Sequence, residues 1–227
     1  MALRLVQMNI KARDDEALGR FWAGLLGWDL SSEAPGVANV EPPEAAALGI
    51  DIVAVPDPRS VDYRTHLELA FSADLLDRLA LLDATRIGPG RAGTDWADPE
   101  GNRFTVVDAP AASGPISSVV VECADPGALA PFWASAIDTT VQDATDDLVR
   151  LHSSTGVGPS LEFRREAHPL PTRMHLDLRP YPGADQAAEV ARLRGLGATE
   201  TDIGQGAVPW NVLTDPAGNE FCVLTAG

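Results

Sequence analysis

The chain carries the same motifs twice, and this repeat constrains its fold more than any other feature. Three segments recur in the same order: RFWAGLLGW at 20–28 as PFWASAIDT at 131–139, THLELAF at 65–71 as MHLDLRP at 174–180, and DPEGNRFTVV at 98–107 as DPAGNEFCVL at 215–224. The copies are 111, 109 and 117 residues apart, which is the length of a small domain. We therefore predict two similar domains, 1–110 and 116–227, joined by a linker at 111–115 that is rich in Ala, Ser, Gly and Pro.

Within each half, the periodicity predicts two units of one strand, one helix and further short strands. Residues 3–12 alternate polar and apolar side chains, as a half-buried strand does, and residues 13–27 have their apolar side chains at helical spacing. The second half repeats the pattern, with strands near 116–123, 160–165, 172–179 and 219–225 and helices near 126–137 and 183–196. The fold class predicted from this order is α+β.

Composition limits the partners of such a chain. Its 17 basic and 33 acidic residues give a formal net charge of -16, so we expect neither nucleic acid nor a membrane surface as a partner. Lys11 is the only lysine, which argues against phosphate-loop and Schiff-base chemistry. Two cysteines, and no apolar run of the kind found in signal peptides, predict a cytoplasmic protein. A monomer and a homodimer are both compatible with the duplication.

The repeated motifs resemble those of the vicinal oxygen chelate superfamily, which includes glyoxalase I, bleomycin-resistance proteins and extradiol dioxygenases. The resemblance is to its glyoxalase-like domain type, and it rests on the Phe-Trp pair of the first helix, the R-x-H-L-[DE]-L strand and the DP-x-GN-x-F turn, each present twice. It covers nearly the whole chain. The resemblance implies that two βαβββ units pair into a curled mixed sheet, with helices outside and a cup inside that takes a metal ion or a small ligand.

Strand alternation predicts which side chains line each cup, because one parity packs on the helices and the other faces the cavity. In the first half the inward set is Gln7, Asn9, Lys11, Asp51, His66, Glu68, Arg103 and Thr105. In the second half it is Ser118, Glu122, Glu162, Arg164, His175, Asp177, Arg179, Glu220 and Cys222. Both predicted cups are polar, and their arginines favour a small polar or anionic ligand.

The resemblance also implies where metal ligands lie, namely on the first, fourth, fifth and eighth strands, as His or Gln, Glu, His and Glu. The corresponding positions are Gln7, Asp51, His66 and Thr105 in the first half, and Ser118, Glu162, His175 and Cys222 in the second. Neither half has the eighth-strand Glu, so each set is incomplete. If a divalent metal such as Zn, Ni, Mn or Fe is held at all, we expect His175, Glu162, His66 and Gln7 as its ligands.

Three functions remain open at this point. The sequence favours a protein that binds a small molecule in each cup without a complete set of metal ligands. The first alternative is a metal-dependent lyase, isomerase or dioxygenase that uses His66 or His175 as a ligand. The second alternative is a metal-independent enzyme in which His175 is a general base oriented by Asp177 or Glu162. The second half keeps more of the motif, so its cup is predicted to be the more active.

For several residues, a structural interpretation is an alternative to the functional one. The His-Leu-acid patterns at His66 and His175 are as typical of a structural hydrogen-bonding group as of a catalytic one. Cys222 is expected to be a small buried residue, and Trp22 and Trp133 are expected in the core. Trp96 and Trp210 are assigned either to the core or to a cup mouth, where they would stack on a ligand. Asp98 and Asp215 are predicted to be turn residues, and the acidic run 143–147 is predicted to be a solvated loop.

Overall fold

The computed structural model describes residues 3–43, 48–56, 58, 64–109, 114–167, 174–204 and 206–226. Residues 111–113 of the predicted linker lie outside this range, as do Tyr63 and Arg173 at the start of the repeated strand. No helix in the described part is both long enough and apolar enough to cross a membrane.

Each half contains two units of the predicted type. The first half comprises β1 (Arg4–Ala12), α1 (Asp15–Leu26), β2 (Asp29–Ala34), β3 (Val37–Glu41) and β4 (Gly49–Ala54), then β5 (Thr65–Ala70), α2 (Ala73–Leu81), β6 (Thr85–Pro89), β7 (Gly93–Ala97) and β8 (Arg103–Val107). The second half comprises β9 (Ile116–Cys123), α3 (Pro126–Ala136), β10 (Thr139–Ala144), β11 (Leu148–Ser153) and β12 (Ser160–Arg165), then β13 (Met174–Arg179), α4 (Gln186–Gly195), β14 (Thr199–Glu200), β15 (Asn211–Thr214) and β16 (Glu220–Val223).

The helices begin where capping residues precede apolar spacing. The carboxylate of Asp14 accepts a hydrogen bond from the backbone N–H of Ala17 at 2.8 Å, and α1 ends at Gly27, whose φ of 72° is left-handed. Asp125 caps α3 in the same way, and Pro126 occupies its first turn. The strand-then-helix order predicted for each unit follows from these local signals.

The sixteen strands of the described residues form two mixed eight-stranded sheets, and the α+β fold class is confirmed. Their strand orders are β14-β15-β16-β13-β1-β4-β3-β2 for the first sheet and β10-β11-β12-β9-β5-β8-β7-β6 for the second. Each sheet therefore takes one unit from each half. The first sheet is joined by antiparallel β1 and β13, and the second by antiparallel β5 and β9. Strand pairing therefore joins units of different halves, whereas the resemblance implies that the two units of one half share a sheet.

Within a half, the two units are held together by the repeated Phe-Trp helix and the DP turn. The indole Nε1 of Trp22 on α1 donates to Asp98 at 3.2 Å, and its ring lies 5.3 Å from that of Phe104 on β8. In the second half, Trp133 donates to Asp215 at 3.0 Å and packs on Phe221 at the same ring distance. The expected core position of both tryptophans is confirmed, since each is at most 2% exposed.

Besides accepting from the tryptophans, the two DP-turn aspartates accept hydrogen bonds from the backbone of their own turns. Asp98 accepts hydrogen bonds from the backbone N–H groups of Glu100 and Asn102, and Gly101 takes a φ of 84° in the turn. Burial raises the pKa of Asp98 to about 6, although its hydrogen bonds to Asn102 and Trp22 oppose that shift. The prediction that these aspartates are turn residues is therefore confirmed. Each also accepts a hydrogen bond from a tryptophan indole, which the sequence did not predict.

Candidate functional site

Five polar side chains of the first sheet meet around β1, and we call this face the first groove. In the strand register, Gln7 lies opposite Asp177 of β13, while Asn9 lies between His175 of β13 and Asp51 of β4. The next strand, β16, pairs in parallel with β13 and places Cys222 beside Asp177. The first groove therefore combines β1 and β4 of the first half with β13 and β16 of the second.

A compact cluster of three potential ligands lies in the first groove. The thiol Sγ of Cys222 is 3.5 Å from Nε2 of His175, and the same nitrogen is 3.3 Å from Oδ1 of Asp177. Ligand atoms of all three side chains lie within 4.8 Å of one another. Oδ1 of Asp177 is buried and has no aligned hydrogen-bond donor in the described part of the chain.

Burial makes two groups of the first groove harder to ionise. Burial raises the pKa of Asp51 to about 6, the Asp177 carboxylate adds to the rise, and the Asn39 amide, which donates at 2.8 Å, opposes it. Burial, together with the charge of Asp177, raises the pKa of the Cys222 thiol well above its usual range. Without a cation beside it, this thiol stays protonated and is a poor nucleophile.

The rim of the first groove carries one ion pair and one arginine. Nζ of Lys11 lies 3.6 Å from a carboxylate oxygen of Glu220, and both side chains are partly exposed. Arg179 extends the β13 row that contains His175 and Asp177, and its Nε is buried without a hydrogen-bond partner among the described residues. An oxygen-bearing molecule entering the groove would therefore meet Arg179 as a hydrogen-bond donor, whereas the charge of Lys11 is offset by Glu220.

The equivalent face of the second sheet is filled by ion pairs. Arg164 of β12 donates to Glu68 of β5 at 2.6 Å and 2.8 Å and to Glu162 at 2.6 Å, so it links two buried carboxylates. Arg150 reaches Glu162 from the other side at 2.8 Å, and the Ser118 hydroxyl donates to Glu68 at 2.8 Å. These contacts occupy the carboxylates that a metal ion or a cationic ligand would need.

A second arginine neutralises the other end of the same face. Arg103 of β8 lies 2.9 Å from a carboxylate oxygen of Glu122 and donates toward Nδ1 of His66 at 3.3 Å, while Thr105 donates to Asp95 at 2.7 Å. Burial, with the charges of Arg103 and Arg164, lowers the pKa of His66 to about 3. His66 is therefore neutral at physiological pH, in a packed, charge-compensated setting.

The structure regroups the candidate residues. His175, Asp177 and Cys222 join Gln7 and Asp51 in the first sheet, while Glu162, Ser118 and Arg164 join His66, Glu68, Arg103 and Thr105 in the second. The sequence grouping of Glu162 with His175, as ligand or as orienting acid, is corrected, because unit pairing across the halves puts the two residues in different sheets. Grouping Gln7 with His66 is corrected for the same reason.

The remaining candidates take separate positions. Trp96 lies on β7 and packs against the hydrophobic core, whereas Trp210 is 38% exposed just before β15. Asp143, expected in a solvated loop, lies on β10 and pairs with Arg150 at 2.7 Å.

Sequence reasoning missed the residues that complete these networks. Arg150 and Asn39 both lie on strands, facing Glu162 and Asp51 across the sheet, and alternation on those strands is the signal that would have found them.

A family comparison fits this architecture. The model of the glyoxalase-like domain family matches the chain twice, at residues 7–107 and 118–224. The chain belongs to the glyoxalase-like domain family. This places it in the vicinal oxygen chelate superfamily, as the motif resemblance implied.

Solved structures share the fold at low sequence identity. Glyoxalase I from Zea mays superimposes with a TM-score of 0.71 at 14% identity, covering 99% of this chain and 92% of its own. A variant of that enzyme gives 0.72 at 15% identity, with the same coverages. A proposed dioxygenase from Bacillus subtilis gives 0.64 at 14% identity and covers 99% of this chain and 85% of its own. No curated protein sequence matches the chain.

Proposed function

We propose that this glyoxalase-like protein binds a small oxygen-bearing molecule in the first groove, together with a divalent cation held by His175, Asp177 and Cys222. The observation that carries the proposal is the buried Oδ1 of Asp177, which has no aligned hydrogen-bond donor among the described residues and lies 3.3 Å from the imidazole Nε2 of His175. A buried carboxylate oxygen without a partner is costly, and a cation shared with the imidazole and the thiol would remove that cost.

The donor set suits a particular kind of ion. One imidazole nitrogen, one carboxylate oxygen and one thiol sulfur are the ligands that zinc prefers, whereas magnesium and calcium favour oxygen alone. Three protein ligands also leave a coordination position open, which is typical of catalytic and not of structural zinc sites. When bound, such an ion polarises an oxygen of the small molecule.

The other groove residues have proposed roles of their own. The Gln7 amide, opposite Asp177, can donate a hydrogen bond to the bound molecule, and Arg179 can balance negative charge on it. Asp51, with its pKa of about 6, can accept or release a proton near neutral pH. The ion-paired face of the second sheet is assigned a structural role.

The test is metal content in matched variants. Wild-type protein loaded with zinc and dialysed should retain one zinc per chain by elemental analysis, and His175→Ala and Cys222→Ala should lose it. Cys123→Ala is the control, because Cys123 is the other buried cysteine and lies outside the cluster. Cobalt loading adds a spectroscopic readout, since a thiolate-to-cobalt charge-transfer band should appear in wild type and disappear in Cys222→Ala.

Two outcomes would contradict the metal site: a wild-type protein that retains no zinc, or equal loss of zinc in the two cysteine variants. In the first case, native mass spectrometry of the same sample distinguishes the second candidate, metal-free binding of a small polar or anionic molecule. That candidate is favoured by Nε of Arg179, which is buried with no hydrogen-bond partner among the described residues. It requires an organic molecule retained by wild type and lost in Arg179→Met.

A further inference from the structure

A separate cavity lies between the beginning of β1 and the first unit of the second half, which comprises β9 to β12 and α3. Its volume is about 380 Å³, within the lower range of small-molecule sites. Most of its wall is apolar and includes Leu5 and Val6 of β1 together with Ile137, Val157 and Leu161 of the second half. None of the three clustered ligands of the first groove lines it, so this cavity is distinct from the proposed metal site.

Two polar atoms in the wall of this cavity are buried and unpaired. Nε of Arg4 and Oγ1 of Thr139 both lack a hydrogen-bond partner in the described part of the chain. The Arg4 guanidinium lies over the ring of Tyr181, 5.2 Å from its centroid, and no carboxylate of the described residues forms an ion pair with it. Buried donors are normally satisfied, so an arginine left in this state at a cavity wall points to an acceptor supplied by a ligand.

The remaining charge of the wall does not compete for Arg4. Asp138 is exposed, and its carboxylate accepts a hydrogen bond from the Tyr181 hydroxyl at 3.1 Å. The ring of Tyr181 thus lies against Arg4 while its hydroxyl contacts Asp138. An anion inside the cavity would therefore meet a guanidinium that forms no ion pair with the carboxylates of the described residues, Asp138 included.

We propose that this cavity binds a small monoanion with an apolar body, such as a medium-chain or aromatic carboxylate. Its carboxylate would accept hydrogen bonds from Arg4 and Thr139, and its apolar part would contact the Leu, Ile and Val side chains of the wall. This binding is independent of the proposed metal, since the cavity and the cluster share no residue.

The test is calorimetric titration with octanoate and, as a neutral probe of the same length, octanol. Wild type should bind one octanoate per chain. Arg4→Met keeps the aliphatic stem and removes the charge, so it should weaken octanoate binding about tenfold or more, the loss expected for a charge-assisted hydrogen bond, and leave octanol binding unchanged. Arg4→Lys keeps the charge and should restore most of the affinity. Arg20→Met, an exposed arginine on α1, is the matched control and should bind octanoate as wild type does.

A second variant tests the location without touching the charge. Val157→Trp places a large side chain in the cavity from its half-buried position and should abolish binding of both probes. His175→Ala should bind octanoate normally, which separates this site from the first groove. The proposal fails if wild type does not bind octanoate at millimolar concentration, if Arg4→Met binds it as tightly as wild type does, or if Val157→Trp still binds it. Unfolding curves of each variant show whether a loss reflects misfolding.

Discussion

Single residues of the second sheet show how a polar motif can be structural. His66 has the same sequence context as His175, yet it is buried between two arginines and its pKa falls to about 3. His175 instead faces a carboxylate and a thiol. The His-Leu-acid pattern therefore specifies a polar position on a central strand, and the neighbouring strands decide what that position does.

The low pKa of His66 predicts a pH-dependent contribution to stability. Its folded pKa of about 3 lies below the unfolded value near 6.5, so only the unfolded chain takes up this proton between those limits, and stability falls as pH drops below about 6.5. Between pH 6.5 and 4.5, wild type should lose about 2 kcal/mol more of its unfolding free energy than His66→Asn, in which the amide oxygen can replace Nδ1 as the acceptor for Arg103.

Urea denaturation of both proteins across this pH range measures the difference. Comparing variant with wild type removes the opposing contribution of Asp51 and Asp98, whose raised folded pKa values lower stability as pH rises from about 4 to 6. At pH 8 the His66 contribution is constant, so the two stability curves should run parallel there. Parallel curves at pH 5 as well would show that the folded protein protonates His66 readily.

At the scale of elements, the local features of the fold were predictable from the sequence and the site was not. The first helix follows from its Asp14 cap, its apolar spacing and Gly27, all of them local signals. Strand partners are a long-range choice: β1 could pair with the fifth strand or the thirteenth, and both carry the same His-Leu-acid pattern. Because the two choices look alike in sequence, the partners of Gln7 and Glu162 could not be predicted.

The ion-pair chain across β5, β12 and β11 allows a prediction about coupled residues. Arg164→Met would leave Glu68 buried without a cation, whereas Glu162 keeps Arg150, and we expect a loss of about 3–5 kcal/mol of unfolding free energy. Glu68→Gln should destabilise wild type, because it removes a charge that Arg164 compensates. In the Arg164→Met background the same change should stabilise, because it removes an uncompensated buried charge.

Urea denaturation of the four proteins in this cycle gives the coupling. Arg20→Met serves as the control for losing an arginine, because its pair with Glu16 is exposed and should contribute less than about 1 kcal/mol. If Glu68→Gln destabilises both backgrounds by the same amount, Arg164 and Glu68 act independently, and the structural role assigned to this face is wrong.

In the whole molecule, side-chain packing joins the two units of one half, whereas strand pairing joins units of different halves. The Phe-Trp helices and DP turns bury aromatic rings between the two units of one half, whereas backbone hydrogen bonds join units of different halves into each sheet. The motifs that reveal the repeat are thus the contacts within a half. The first groove belongs to neither half alone, since Gln7 and His175 come from opposite halves.

This arrangement predicts how separated halves behave. A fragment of residues 1–113 would expose the edges of β1 and β5, which pair with β13 and β9 in the intact chain. Unpaired central edges favour association, and because each half contains both kinds of edge, a half can complete its sheets with a second copy of itself or with the other half.

We expect each fragment alone to self-associate or to be unstable. An equimolar mixture of the 1–113 and 114–227 fragments should form a one-to-one complex, which sedimentation velocity measures. The urea midpoint of that complex should rise with protein concentration, as for any folded state that requires association. Fragments that remain folded monomers, with a midpoint independent of concentration, would show that each half forms its own sheets in solution, and the first groove would then no longer bring Gln7 to His175.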